Sequence, residues 1–136
     1  MKVLGIDFGE RLIGLALADT ETGISFPKGS VRNTCVDAAL GRLKDICIEW
    51  EVERIVFGKP LNLAGKETAS TRKALDFCGR LNDVLDGVEI VVFDERRTTI
   101  RAEEIMHEMD LSPSENRNML NSIAASCILS DYMESL

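Results

Sequence analysis

Long apolar runs are missing from this chain of 136 residues. Nothing in it approaches the ~20 consecutive apolar residues of a membrane span, which excludes a transmembrane helix. No secretory leader is expected, because Met1-Lys2-Val3-Leu4-Gly5-Ile6-Asp7 reaches an acid before an apolar segment of useful length has formed. The expected location is the cytoplasm, with no membrane partner. Low-complexity tracts and internal repeats are absent as well. Cys35, Cys47, Cys78 and Cys127 lack the spacing of any zinc or redox motif. Each stands among apolar residues at helical spacing and is expected to be a small core hydrophobe. His107 is the only histidine, expected on the surface of a short helix without a role. Basic charge is also short: 16 Lys and Arg against 23 Asp and Glu leave a net charge of −7. That balance disfavours a nucleic-acid partner. It does not exclude one, since a site that gathers carboxylates around metal ions is locally acidic until the ions bind. The distribution of basic residues then matters, and Arg96, Arg97 and Arg101 cluster, as do Lys59 with Lys66 and Arg72 with Lys73.

What remains is an ordinary globular composition, 45% hydrophobic and 29% charged, enough for one domain over residues 1–136 with one substantial core. Residues 2–8 alternate and then run apolar, which predicts a strand. Gly9-Glu10-Arg11 is a turn, and residues 12–19 form a second strand paired by a hairpin. A third strand is expected from Ile24 to Val31, at an edge because Pro27 has no N–H for a ladder. Asn33 or Thr34 can cap a helix whose stripe is Val36, Ala39, Leu40, Leu43, Ile46, Cys47 and Trp50. Residues 54–58 run apolar without alternation, as in strands buried on both faces of a parallel sheet, and residues 59–65 form the loop that follows. A second helix is expected over about residues 68–85, with Ala74, Phe77, Cys78, Leu81, Val84 and Leu85 inward and Gly87 ending it. Residues 88–93 read as another buried strand that delivers Asp94 and Glu95 at its C-terminal end. Thr98 or Thr99 starts a third helix. Ser112-Pro113-Ser114 breaks the chain, Ser114 is a possible cap, and the last helix reaches about Tyr132. The order β-β-β-α-β-α-β-α-α predicts an α/β fold, in which a three-strand antiparallel meander is followed by parallel strands with flanking helices in one mixed sheet.

Ligands of open α/β sheets gather beyond the carboxyl ends of the parallel strands. Asp94 and Glu95 end the last strand and Asp7 lies near the end of the first, so these acids converge if the first strand is central and parallel to the last. Asp7 should then face Glu95 across the mouths of two neighbouring strands. A lone charge in an apolar strand is costly unless paired or metal-bound. Asp7 either caps the Gly9-Glu10-Arg11 turn, pairs with Arg11, or ligates a cation, and Gly5 and Gly9 leave room around it. Hard cations such as Mg²⁺ or Mn²⁺ take carboxylate oxygens. Two of them ~4 Å apart can activate a water and stabilise the departing oxygen of a phosphodiester, with about three or four acids from separate elements. The last helix should supply one more acid. Ala124 and Ala125 would let it approach the sheet closely. Asn121, one turn earlier on that side, is an amide where an acid would reach the site.

Four motifs together resemble the YqgF/RuvX family over nearly the whole chain. They are Gly5-Ile6-Asp7-Phe8-Gly9 with Arg11, Ile13-Gly14 and Asp19; Gly58-Lys59-Pro60-Leu61-Asn62 with Gly65; Asp94-Glu95-Arg96 with Thr98-Thr99 and Ala102-Glu103; and Ala124-Ala125 with Ile128-Leu129 and Tyr132. The resemblance implies an RNase H-like fold, kinship with Holliday-junction resolvases and a part in trimming precursor 16S ribosomal RNA. It implies Asp7 as the first metal ligand and Glu95 as the second catalytic acid. The final catalytic and metal position falls on Asn121, a departure from the family pattern, as is Arg97 where the family has an apolar residue. An amide oxygen can ligate a cation, but it carries no charge and cannot act as a base. Asp94, Asp131 and Glu115 are candidates for a compensating acid. Substrate contacts are expected from Arg11, Lys59, Asn62, Arg96, Thr98 and Thr99. The Gly58–Gly65 loop can offer N–H groups and Lys59 to a phosphate, or it is an ordinary connection. Arg96, Arg97 and Arg101 follow a nucleic-acid backbone, or pair with Glu103, Glu104 and Glu108 along one helix. Thr98 and Thr99 also suit a helix cap.

Three functions compete. One is a Mg²⁺- or Mn²⁺-dependent nuclease for structured nucleic acid, either precursor rRNA or branched DNA. Another is a non-catalytic nucleic-acid-binding or ribosome-assembly protein, motivated by Asn121. The third is nucleotide binding, because Gly5-Ile6-Asp7-Phe8-Gly9 followed by Gly14 also resembles the first phosphate motif of actin and sugar-kinase ATPases. Those enzymes need two such domains, and this chain has length for one. Junction cutting would favour a two-fold dimer, so a monomer or a homodimer is expected.

Overall fold

The structure is a computed structural model that describes residues 1–95 and 98–136. Arg96 and Arg97, with the roles expected of them, lie outside the described residues. The elements are β1 (Lys2–Asp7), β2 (Leu12–Asp19), β3 (Ile24–Arg32), α1 (Val36–Glu49), β4 (Arg54–Pro60), α2 (Ala69–Val84), β5 (Glu89–Glu95), α3 (Thr98–Glu108) and α4 (Arg117–Glu134). The strands form one sheet in the order β3-β2-β1-β4-β5. β1, β2 and β3 pair antiparallel, and β1, β4 and β5 run parallel, as the element order predicts. Among the described residues no helix is long and apolar enough to cross a membrane.

β1 is the central strand, and its alternation feeds two cores. Leu4 and Ile6 join Ile13, Leu15, Ile55 and Phe57 beneath α1 and α2. Val3 faces the other way, joining Ala16 and Val56 beneath Ala125, Ile128 and Leu129 of α4. α3 packs on the outer side of α4 through Ala102 and Met106, which meet Ile123 and Ala124. Ala124 therefore serves the α3 contact, and only Ala125 of the expected pair meets the sheet.

α4 approaches the sheet at backbone distance. A Cβ at Gly14 would lie 2.0 Å from the Asn121 carbonyl oxygen, and one at Gly5 would lie 2.9 Å from that of Ala125. Ser122 pins the same turn. The β2–β3 register shifts between Gly14 and Ala16, leaving Leu15 without a partner in β3. Ser122 Oγ donates to the Leu15 carbonyl (2.8 Å) and accepts from Gly29 N (2.8 Å), so this buried hydroxyl fills the bulge. Further along, Ser25 of the edge strand bonds the hydroxyls of Ser126 (2.6 Å) and Ser130 (3.1 Å).

The structure differs from the sequence expectations in several places. β5 is an edge strand, half-exposed rather than buried, with Val92 45% exposed, and it extends through Asp94 and Glu95. β4 likewise continues through Lys59 and Pro60. Asn33 does not cap α1. Its backbone N–H is still tied to the Arg11 carbonyl (2.8 Å) and its side chain donates to that of Gly9 (3.0 Å), so the helix begins later, after Cys35. Cys35 is consequently exposed, whereas Cys47, Cys78 and Cys127 are buried as expected. Ser114 bonds Ser112 (3.1 Å) instead of capping α4, which starts after Asn116. Thr68 caps α2 in a reciprocal box with Thr71.

The glycines give a prediction with opposite signs. Gly14→Ala forces a side chain into the α4 backbone and should cost at least about 2 kcal/mol. Gly41→Ala, in α1 with nothing within 4 Å of the new Cβ, should stabilise by about 0.5–1 kcal/mol. Urea unfolding midpoints of the two variants measure both effects.

Candidate active site

Asp7 ends β1 on the α4 face, since it lies an even number of residues from Val3. Its register partner in β2 is Gly14, and Gly58 of β4 follows the Ile6–Phe57 pair on its other side. Both flanking positions thus lack side chains, and α4 takes up the space, with the Asn121 backbone over Gly14 and Ile128 Cδ1 over Gly58. Glu95, at the end of β5, lies on the same face as Phe93, and its Cγ is 3.3 Å from where a Gly58 Cβ would stand. The two acids therefore do converge, but not from neighbouring strands. β4 runs between them at Gly58, over which Ile128 Cδ1 and Glu95 Cγ both stand (2.6 and 3.3 Å from the place of a Cβ), and the charge of Glu95 reaches Asp7.

Burial raises Asp7 first, and the nearby charge of Glu95 adds to it, so its carboxyl group is pushed up to about 7. Burial also raises Glu95, assisted by the charge of Asp131. Hydrogen bonds from the Thr98 hydroxyl and backbone N–H act the other way, favouring the carboxylate. The Thr98 hydroxyl donates to Glu95 Oε2 from a buried position at the start of α3. Thr98, expected to touch substrate or cap a helix, instead orients Glu95. The Glu-x-x-Thr spacing was the available signal, since residues three apart meet where a strand turns into a helix.

Asn121 stands on the other side of Asp7, with its backbone over Gly14, and it lines a cleft of about 550 Å³ that Arg11 and Arg117 also line. Across the sheet the series is Asn121 above β2, Asp7 on β1, Gly58 on β4 beneath Ile128, and Glu95 on β5. Of the three compensating candidates, only Asp131 reaches Glu95 electrostatically. It is bonded to Arg101 at 2.6 Å and lies ten residues beyond Asn121, ~15 Å along the helix. It cannot take Asn121's place. Asp94 alternates to the opposite face, beside Lys59, and exposed Glu115 lines a separate cleft with Pro27 and Gly29. Among the described residues no three His, Cys, Asp or Glu side chains gather as a metal-holding group. The donors at hand are two carboxylates and an amide oxygen, a set of hard oxygen ligands suited to Mg²⁺ or Mn²⁺ with one charge fewer than three acids would give.

The remaining expected contacts are unequal. Arg11 lines the cleft and has no ion pair among the described residues. Lys59 is tied to Glu67 at 2.9 Å. Asn62 Oδ1 accepts from Ala64 N (3.0 Å) and Lys66 N (2.9 Å), so it folds its own loop. Thr99 is exposed near the site. Arg101 pairs with Asp131 of α4 rather than with Glu103, Glu104 or Glu108 of its own helix. Arg117 was not singled out in the sequence, because nothing local distinguishes it from any surface arginine.

A mixed sheet in this order, with a closing helix and acids at the ends of its parallel strands, defines a RuvC-like α/β protein of the RNase H-like class. The fold matches "T. thermophilus RuvC in complex with Holliday junction substrate" with a TM-score of 0.62 at 18% identity, covering 99% of this chain and 94% of that one. It also matches the Fowlpox virus Holliday junction resolvase (TM-score 0.60, 16% identity, 100% of both chains). The chain belongs to the RuvX family, described as Holliday junction resolvase, whose profile matches residues 1–135. Curated relatives named "Putative pre-16S rRNA nuclease" include one from Clostridium botulinum strain Hall, 37% identical over 140 residues (100% of this chain, 98% of that protein). Another, from Clostridium tetani, is 34% identical over 136 residues (100% and 98%).

The raised Asp7 has a stability consequence. Between its ordinary value of 3.8 and about 7 the folded state holds a proton that the unfolded chain releases. Its contribution is full below pH about 4 and is lost as pH rises through about 7, by at most about 4 kcal/mol. Asp7→Asn should therefore raise the cation-free thermal midpoint at pH 8 and change it little at pH 4.5. Equal shifts at both pH values would contradict this assignment.

Proposed function

We propose that this protein is a divalent-cation-dependent nuclease for structured nucleic acid, with Asp7 and Glu95 as its two acids. The observation that carries this reading is the pair of carboxyl groups on one sheet face across Gly58, both raised by burial. Two like-charged groups kept together away from water are costly without a cation between them. Asp7 and Glu95 would hold Mg²⁺ or Mn²⁺, and Asn121 would add a neutral oxygen. The bound ion would supply Lewis-acid stabilisation of charge on the phosphoryl oxygens. Thr98 keeps Glu95 Oε2 engaged and its carboxylate oriented. The name of the relatives at 34–37% identity favours precursor 16S rRNA as the substrate. The junction-bound neighbours support branched DNA more weakly, since at 18% identity they speak for the fold.

Asn121 favours a second reading, a nucleic-acid-binding or ribosome-assembly protein with weakened catalysis, because no acid among the described residues replaces it. One Mn²⁺ cleavage panel separates the two, using a precursor 16S rRNA 5′ fragment and a four-way DNA junction. Asp7→Asn should lose at least about 100-fold in rate, and an unchanged rate would sink the site assignment. Under the weakened reading Asn121→Asp raises a low basal rate about tenfold or more. A wild-type protein that already cuts rapidly, and gains nothing from that change, excludes it. Independently of activity, Mg²⁺ should raise the thermal midpoint of the wild-type protein at pH 8 but not that of Asp7→Asn.

A further inference from the structure

The cleft beside Asn121 has a charge layout that the two acids do not explain. Arg11, from the β1–β2 turn, and Arg117, from the first turn of α4, line the same space of about 550 Å³. Neither has an ion pair or a side-chain hydrogen bond among the described residues. Arg54, Arg80 and Arg101 are matched with Glu89 (2.8 Å), Asp37 (2.8 Å) and Asp131 (2.6 Å), whereas Arg32 and Arg72 also lack an ion pair among the described residues, so what sets Arg11 and Arg117 apart is the cleft they share. The one acid on this cleft, Glu10, is taken up by Lys73 at 2.7 Å. Two guanidinium groups thus share a cavity whose one acid, Glu10, feels the charge of Arg11 but is bonded to Lys73, in a protein whose net charge is −7.

The cleft is also held in shape. Asn33, only 8% exposed, grips the turn that carries Arg11, through its side chain to Gly9 (3.0 Å) and its backbone N–H to Arg11 (2.8 Å). The α4 backbone that carries exposed Arg117 is held from the other side by the seating of Asn121 on Gly14 and by Ser122. Leu120 adds an apolar wall on which a sugar or base can lie. Guanidinium groups suit phosphate because their planar donors bind two oxygens at once. Asn121 lines this cleft and its backbone stands over Gly14, the β2 register partner of Asp7, so the cleft lies beside the candidate active site.

We propose that Arg11 and Arg117 form a phosphate clamp, gripping a backbone phosphodiester of the same nucleic-acid strand next to the one presented to Asp7 and Glu95. This rests on the nuclease reading for the identity of the ligand, while its own content is the assignment of Arg117. The strand enters over the β1–β2 turn and the start of α4, and crosses the sheet toward β5.

The test is binding without cleavage. Fluorescein-labelled probes, a four-way DNA junction and an RNA duplex with a 5′ single-stranded tail, are titrated in EDTA across a salt series. Arg117→Gln should weaken binding about tenfold near 50 mM salt and lower the slope of log Kd against log salt by about one. Arg117→Lys should keep the slope. Arg42→Gln makes the same charge change on α1, beneath the opposite face, and should leave both quantities unchanged. Loss with one probe alone assigns the clamp to that polymer. Unchanged affinity and slope for Arg117→Gln with both probes overturns the proposal, as does an equal loss in Arg42→Gln, which would make the effect one of bulk charge. Failure of the nuclease reading looks different: Asp7→Asn would cleave like the wild type while Arg117→Gln still lost binding.

Discussion

The contact on which the molecule depends is that of the α4 backbone with the face of the sheet. Helices ordinarily rest on sheets through side chains, about 10 Å away. Here Gly14 and Gly5 remove those side chains, and the carbonyls of Asn121 and Ala125 come down onto the strands. Such closeness needs a polar solution, because the β-bulge beneath leaves backbone groups without partners. Ser122 supplies it with one hydroxyl that serves both strands. The helix is thereby fixed in height and in rotation. Its rotation decides that residue 121 meets the site, that Ala125 meets the sheet, and that Ala124 turns toward α3.

The same face carries an electrostatic burden that the central strand can bear. Val3, Leu4 and Ile6 are fully buried, and each contributes about 1.5–3 kcal/mol by leaving water. Against that sum, a carboxyl group raised to about 7 is a cost of comparable size to one or two of them. Central position in the sheet thus offsets the cost of a half-buried acid. The acid on the edge strand, Glu95, is instead stabilised by the Thr98 hydroxyl and N–H.

Charge is distributed with the same economy elsewhere. Lys59, Lys73, Arg54, Arg80 and Arg101 are matched with acids at their own surfaces. The acidic balance of the chain therefore says little about the surface near α4, where two arginines meet in one cleft. Composition averages over faces, and binding responds to one face.

Strand and helix periodicity was legible because each element's burial depends on residues three or four apart in a helix and two apart in a strand. The stripes of α1 and α2, the edge position of β3 and the order of the elements all follow from such local spacing. Asp7 and Glu95 were legible for a related reason, since charge at the end of an apolar strand has few structural explanations. The burial of β5 was misjudged because an edge strand and a central one can carry the same apolar residues, and only the sheet order distinguishes them. Asn33 was misjudged because its competing partners, Gly9 and Arg11, are more than twenty residues away. By itself, then, the sequence determined the order of the elements and the family, and it singled out Asp7 and Glu95 as candidate acids, all from patterns of near neighbours along the chain. The crossing at Gly58 between those acids, the orienting role of Thr98, the isolation of Asp131 from Asn121 and the sharing of one cleft by Arg11 and Arg117 were decided only by tertiary structure. Each is a distance between residues on separate elements, set by sheet order and by how closely α4 approaches the sheet.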